Sequence, residues 1–338
     1  MNSSIHCKRF VSKERQNKLI EFCDTSNHNH VFQSFPWKKM HPERKYLHFW
    51  QENDNKINIY ALIEIEKLKP FINSFKGTIH CGPIFNNISE FRQNLTQMLS
   101  FLKSKNCISI QMNPFWFNQE ATIIEQIIVE AKGKCVQTPH DYHFVSTIID
   151  LSESEEDIYR KFKKSSTQQM IKKAQKIPEV TIRSAQREDI PAIACMFAEM
   201  LRNKNVFDYY DEQYFRNVYD KIIADGRGFC KVQEYKNEII SMAISFICGN
   251  TCIYTHGASS TKYRDIPKAH LLNWEMIKHA RGLGLSFYDM GGINPDVTLK
   301  SNKALYGVTR FKYGFSDELV TNCRVYQVIL SPVKYIIH

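Results

Sequence analysis

The strand-and-helix alternation of this chain breaks once, at an abrupt reversal of charge, and then starts again. Asp150–Asp157 is acidic, whereas Arg160–Lys176, RKFKKSSTQQMIKKAQK, carries seven basic residues and no acid. A chain of 338 residues is also too long for one ordinary core and comfortable for two. The reversal therefore predicts a boundary, with one domain over 1–150 and a second over 151–338 that opens with a basic linker helix over 152–176. Ser152 is placed to cap that helix, and acids before bases is the order that complements a helix dipole. A solvated, dipole-matched helix explains the order. It does not explain seven bases in a row without an acid, which points to a phosphate-binding face with Lys163, Lys164, Lys172 and Lys173 as its candidates.

Before the break the pattern predicts a polar helix near Ser12–Cys23, then strands at Tyr46–Gln51 and Asn58–Ile65. Phe91, Leu95, Met98, Leu99 and Leu102 recur at helical spacing over Ser89–Lys103, and Cys107–Met112 is a short buried-strand run. A helix near Thr122–Lys132 and a strand at Tyr142–Ile149 close the first half. After it come strand Val180–Ser184, helix Ile190–Arg202, a tyrosine-rich helix near Tyr209–Ile223, and strands at Gly228–Glu234, Ile239–Cys248 and Thr251–Thr255. HLLNWEMIKHARGLG then sets Leu272, Met276 and Ala280 on one helical face, stops at glycine and leads into SFYDM. The second half thus reads βααβββαβ, an order that several α+β folds share in part.

Composition narrows the class. Hydrophobic residues are 43% and charged residues 24%, as in folded globular proteins. No run approaches the roughly 18 apolar residues of a membrane span, and MNSSIHCKRFVSKERQNK lacks the apolar core of a secretory signal, so a cytoplasmic location is expected. Ten scattered cysteines without a CxxC pair suggest reduced, mostly buried thiols. A net charge of +10 favours a polyanionic partner such as RNA, a nucleotide or an anionic membrane surface, and is equally the mark of a Lys-rich source composition. His28-x-His30, His140-x-x-His143 and Cys248 with Cys252 are incomplete as metal ligand sets. There is no GxxxxGK[ST] loop and no GxSxG elbow, which argues against P-loop NTPases and α/β-hydrolases.

Six motifs occur in order: QSFPWKKM at Gln33–Met40, HCGPIF at His80–Phe85, YTHGASS at Tyr254–Ser260, HLLNWEMIKHARGLG at His270–Gly284, FYDMGGI at Phe287–Ile293 and TRFKYGF at Thr309–Phe315. Each is weak alone, but the ordered set resembles the FemABX family of aminoacyl-tRNA-dependent peptidyltransferases along nearly the whole chain. The resemblance implies an α+β protein of two tandem GNAT-like domains, each a mixed, mostly antiparallel sheet flanked by helices. It implies an acceptor precursor held in a cleft, an amino acid donated from aminoacyl-tRNA to a primary amine, and no metal or redox cofactor. The partners it implies are aminoacyl-tRNA and a nucleotide- or lipid-linked envelope precursor, met at the inner face of the membrane. The long helical-hairpin arm of some members has no heptad region here to form it.

Aminolysis of an ester builds negative charge on the carbonyl oxygen, so something positive must stand near it. In the family-like pair Phe311-Lys312, Lys312 is the first candidate; the plain alternative is a strand lysine facing solvent. Trp37-Lys38 lies in the motif that, by resemblance, contacts the acceptor's phosphates or sugar, and lysine suits phosphate as a compact point charge. Tyr210, Tyr254 and His256 are further candidates for holding substrate. Asp289, at a strand end before two glycines, reads as a turn acceptor rather than a base. The chain departs from the family at Asn113 in QMNPFWF, where some members carry an acid, and at Tyr209-Tyr210, where some carry an arginine. No general base is evident, and the acceptor can differ from the usual muramyl peptide. Two other readings stay open. One is acyl-CoA-dependent N-acylation of an amino sugar in surface-polysaccharide synthesis, although YRDIPKAHLL is not the glycine-rich pyrophosphate loop such donors favour. The other is an RNA-binding scaffold without chemistry.

Overall fold

The structure, a computed structural model, describes residues 3–68, 74–137, 144–204, 210–293 and 303–336. It consists of two compact units, Met1–Phe144 with Thr321–His338, and Val145–Val320.

In the first unit Ser3–Lys8, Tyr46–Asn53, Lys56–Lys67 and Phe75–Ile79 pair antiparallel in that order. Cys107–Met112 then adds parallel to Phe75–Ile79 and carries Tyr326–Ile329 antiparallel on its far side. Side chains alternate faces along a strand, so Phe49, Ile59, Ala61 and Ile63 enter one core while Tyr46, Trp50, Tyr60 and Leu62 enter another. The first core is covered by helices Ile88–Ser104 and Asn118–Glu130. Phe91, Leu95, Met98, Leu99 and Leu102 are all buried there, as their helical spacing requires. The second core lies under helix Lys13–Asp24 through Leu19 and Cys23.

The second unit follows the expected order: strand Val180–Ser184, helices Ile190–Asn203 and Glu212–Asn217, strands Gly228–Tyr235, Glu238–Cys248 and Thr251–Ser259, helix Ala269–Gly282 and strand Phe287–Gly292. The three middle strands form an antiparallel meander, and Phe287–Gly292 joins parallel to Thr251–Ser259. Both units are mixed sheets flanked by helices, the α+β architecture expected.

Four local readings are corrected. The strand expected at Tyr142–Ile149 to close the first half is described as Val145–Asp150, and it pairs antiparallel with Phe287–Gly292 in the second sheet. Conversely, Tyr326–Ile329, within the stretch 151–338 assigned to the second domain, completes the first sheet. An apolar run announces a strand but not the sheet it joins, and a single cut cannot show a chain that returns. The linker helix expected over 152–176 is broken into Glu155–Lys161, a π-helical turn Lys164–Gln168 and Gln169–Gln175. Its cap is Ser154, whose hydroxyl accepts from the Asp157 amide at 3.1 Å, not Ser152.

The break is anchored from both sides. Phe162 takes an extended conformation and is 1% exposed, with its ring edge-on to Trp274 and Phe315 at 5.3 and 5.1 Å. Ile158, one helical turn earlier, is buried in the same cluster, so the ring continues the inward face of Glu155–Lys161. The carbonyls of Tyr159, Arg160 and Phe162 all receive the Gln168 side-chain amide, at 3.0, 3.3 and 2.8 Å, and that of Tyr159 also accepts from the Phe162 amide at 3.2 Å. Beyond Glu212–Asn217 the tyrosine-rich helix likewise continues as a π-helical turn, Val218–Ile223. Tyr209, His140 and His143 lie outside the described residues. No helix among the described residues is long and apolar enough to cross a membrane.

Candidate functional site

In the second unit the parallel ladder between Thr251–Ser259 and Phe287–Gly292 lasts only from Thr251, Cys252 and Ile253 to Phe287, Tyr288 and Asp289. Beyond it the ladder is not continued, although Gly291 still lies against the Tyr254 carbonyl. A bulge at Ile244/Ser245 sets Thr255 as the extra residue of the adjoining ladder, and its hydroxyl donates to the Ile244 carbonyl at 3.1 Å. The end of a ladder is where backbone donors and acceptors become available to a ligand.

Lys312 enters from helix Lys303–Tyr313, not from a strand, and is buried at 7% exposure. Its ammonium donates to the Gly292 carbonyl at 2.8 Å. Burial lowers its pKa to about 8; Lys204 adds to the depression and the Asp289 charge opposes it. Asp289, also buried, accepts from the Gly291 amide at 2.7 Å and from the Ser146 hydroxyl at 3.0 Å, so its part is the turn acceptor the sequence suggests. Its own pKa is raised by burial, against those hydrogen bonds and Lys312. Gly291 is required here: it sits at φ +78, and a Cβ would lie 2.9 Å from the Tyr254 carbonyl and 3.2 Å from the Lys312 ammonium. Phe311 packs beside the lysine against His270 and Phe315, at ring separations of 4.9 and 5.2 Å.

Tyr254 is held by its neighbours, since a Cβ at Gly257 would fall on its hydroxyl. Burial pushes that hydroxyl up to about 12, partly offset by Asn273. His256 is buried between Tyr214, whose hydroxyl is 2.9 Å from Nε2, and Thr255, whose Oγ1 is 3.0 Å from Nδ1. Because Thr255 already donates to Ile244, Nδ1 carries the imidazole proton and Nε2 accepts from Tyr214. Burial lowers the His256 pKa to about 4, so it acts as a neutral spacer. Tyr210 packs edge-on to Tyr214 and His256 at 4.8 and 5.5 Å. Lys312, Phe311, Tyr254, His256 and Tyr210 are thus all placed within the second unit. Thr255 was missed from the sequence: a bulge residue leaves no periodic mark.

The basic run lies in the same unit. Lys163, Lys164, Lys172 and Lys173 are all exposed, and an open groove of about 650 Å³ is lined by Lys164, Ser165, Gln168, Gln169 and Lys172, with no acid among them. The π-helical turn is packed close to the end of the Lys312 helix. The Lys163 amide donates to the Gly314 carbonyl at 2.8 Å, and a Cβ at Gly314 would collide with the Thr167 hydroxyl.

Trp37 and Lys38 belong to the first unit, on helix Phe35–Met40, capped by Ser34. The Trp37 ring is half-buried beside Phe32 at 4.3 Å, and its indole N–H is buried with no partner among the described residues. Lys38 donates to the Arg9 carbonyl at 3.2 Å and stands 3.0 Å from His48 Nε2. The HCGPIF bend is fixed by Gln33, which accepts from the Leu62 amide at 2.8 Å and donates to the His80 carbonyl at 2.7 Å. Asn113, which stands where some family members carry an acid, accepts from the Cys81 amide at 2.9 Å and so pins the same bend. His28 stacks on Trp116 and His30 caps the Phe32 amide, so both rings have structural work.

Fold and site together define a tandem GNAT-like protein. Residues 160–312 match the family model described as an acetyltransferase (GNAT) domain, and residues 15–138 match that of the FemAB family. The two matches together support a place in the FemABX family. The lipid II:glycine glycyltransferase of Staphylococcus epidermidis is 33% identical over 96 residues, 28% of this chain and 23% of that protein. The Staphylococcus aureus enzyme of the same name is 31% identical over 96 residues, 28% of this chain and 22% of its own. The matched stretch therefore spans less than a quarter of these relatives. Among solved structures, FemX superposes with a TM-score of 0.84 at 16% identity, covering 100% of this chain and 99% of FemX. L-PGS from Bacillus licheniformis superposes with a TM-score of 0.53 at 12% identity, over 97% of this chain and 96% of that one.

Proposed function

We propose that the protein transfers an aminoacyl group from charged tRNA to an amine of a cell-wall peptide or related envelope precursor, working at the inner face of the membrane. The observation that carries this reading is Lys312, a buried ammonium tethered to Gly292 beyond the end of the parallel ladder. The acceptor nitrogen attacks the ester carbonyl carbon, and the Lys312 ammonium faces the negative charge that grows on its oxygen. The carbon–oxygen bond to the tRNA ribose then breaks, and the proton shed by the nitrogen passes to the departing ribose oxygen. No side chain is assigned as base; the protein contributes orientation and charge. Phe311, Tyr254, Tyr210 and His256 shape the pocket for the aminoacyl group and the amine. Trp37 and Lys38 hold the acceptor's sugar and phosphates, and Lys163, Lys164, Lys172 and Lys173 the donor's backbone.

A second reading, with acyl-CoA as donor, is favoured by the GNAT match over 160–312, because the end of that ladder would accept a thioester as readily as an ester. One experiment separates them. Purified protein is given labelled aminoacyl-tRNAs and labelled acyl-CoAs with extracted envelope precursors, and label transfer is followed by mass spectrometry. Transfer that RNase abolishes supports the proposal; transfer from acyl-CoA that ignores RNase overturns it.

A further inference from the structure

Strand Tyr46–Asn53 carries Tyr46, His48 and Trp50 on one face, which places an imidazole in an otherwise apolar row. His48 is fully buried, stacked on Phe35 at 4.7 Å. Buried polar groups are retained where they are hydrogen-bonded, and both ring nitrogens of His48 are: Nε2 to the Lys38 ammonium at 3.0 Å and Nδ1 to the Tyr60 hydroxyl at 2.9 Å. An ammonium can only donate, so Nε2 accepts and the proton resides on Nδ1, which donates to Tyr60. The ring is therefore neutral in one tautomer, and burial first, then the Lys38 charge, lowers its pKa to about 3.

We infer that His48 is a positioning residue: it fixes the Lys38 ammonium through Nε2, while Tyr60 fixes the imidazole tautomer that makes Nε2 an acceptor. A lysine head has three N–H donors. One is taken by the Arg9 carbonyl and one by His48, so the third is directed rather than free to rotate, and it suits an anionic oxygen such as a phosphate. The groups that face Lys38 are the Arg9 guanidinium and Phe10 ring from one segment, and His48 from Tyr46–Asn53, with Tyr60 from Lys56–Lys67 behind it. The Lys38 pKa is lowered by burial first and then by Arg9. That Lys38 touches the acceptor substrate rests on the function proposed above; that His48 positions Lys38 does not.

The test uses the full chain and two readouts. The first is trace acetylation of Lys38 by acetic anhydride as a function of pH, read by mass spectrometry, which needs no substrate. His48→Phe keeps the packing and removes the acceptor. We expect Lys38 to be acetylated about tenfold faster at fixed pH, the scale of one lost charge-assisted hydrogen bond. His48→Gln, whose amide oxygen can accept, should restore the native rate, and Tyr60→Phe should move it in the same direction as His48→Phe. An unchanged profile in folded His48→Phe overturns the inference; should that variant not fold, an unchanged profile in Tyr60→Phe does so. The second readout is steady-state transfer, where His48→Phe should raise KM for the phosphate-bearing acceptor about tenfold with kcat little changed. If labelling moves while KM does not, His48 positions Lys38 and the role of Lys38 in acceptor binding falls instead.

Discussion

Lys312 gives its ammonium to the carbonyl oxygen of Gly292 across 2.8 Å, so the charge of a helix side chain is fixed to the strand that leaves the parallel ladder. Burial lowers the folded pKa to about 8 from an ordinary 10.5. Between those two pH values the unfolded chain holds a proton that the folded chain has released, so stability rises with pH across that window. Urea midpoints at pH 7.5 and pH 10 should show this rise in the native protein and lose the Lys312 part of it in Lys312→Met.

Activity should run the opposite way. If the charged form of Lys312 stabilises the forming oxyanion, the transfer rate falls as pH climbs through about 8. Asp289 holds that pKa up, so Asp289→Asn should move the alkaline limb to lower pH. Lys312→Met should lose roughly 100-fold or more in single-turnover rate, the usual worth of one oxyanion donor. A Lys312→Met enzyme with native rate would remove this residue from the mechanism.

Gly291 and Gly284 both have positive φ, at +78 and +77, yet only Gly291 is crowded: a Cβ there meets the Tyr254 carbonyl and the Lys312 ammonium, whereas one at Gly284 meets nothing within 4 Å. Gly284→Ala should therefore cost about 1 kcal/mol from its backbone alone. Gly291→Ala should cost roughly 1–3 kcal/mol from strain at a constrained site, and it should also displace Lys312 and slow transfer. Denaturant curves compare the two costs, and single-turnover rates show whether only Gly291→Ala touches the site.

The order of elements in the second unit was legible because each helix and strand there has its own period and its own stop, as at Gly284. The partners of Val145–Asp150 and Tyr326–Ile329 were not, because both strands cross the expected boundary to join a sheet distant in sequence. Lys312 and Phe311 could be named from their motif, but the helix that carries them could not, and the alternative weighed for the lysine was a strand. His48 was visible in principle: it shares strand parity with Tyr46 and Trp50, and an imidazole in an aromatic row needs partners. What no spacing could show is which partners, because Lys38 and Tyr60 arrive from two other elements.

Gln168 tests the broken linker. Its amide serves the carbonyls of Tyr159, Arg160 and Phe162 at the break and is buried; the Tyr159 carbonyl also accepts from the Phe162 amide, at 3.2 Å, whereas those of Arg160 and Phe162 rest on Gln168. Gln168→Ala should destabilise by about 1–3 kcal/mol, the cost of leaving buried acceptors unsatisfied. Phe162→Ala should cost about 3–5 kcal/mol through the cavity it leaves against Trp274 and Phe315. Thermal unfolding would show both, and a smaller loss at Phe162 than at Gln168 would mean that the hydrogen bonds rather than the ring hold the break.

The lysines above that break should behave in the opposite manner. Lys164 and Lys172 are exposed and line a groove without an acid, and among the described residues neither forms an ion pair, unlike their neighbours Arg160 and Lys161. Replacing both with alanine should change stability by no more than about 0.5 kcal/mol. If they bind the phosphates of tRNA, the slope of log affinity against log salt should fall by about 1 to 2, for one or two released counterions. Filter binding of charged tRNA from 50 to 300 mM salt measures that slope. A double variant with unchanged slope and native stability would leave the basic run as a solvated face, and the donor's backbone would have to be held elsewhere. A reduced slope with tRNA alongside unchanged binding of acyl-CoA would instead tie the run to the nucleic-acid donor, because a CoA site built on the same two lysines would weaken with them.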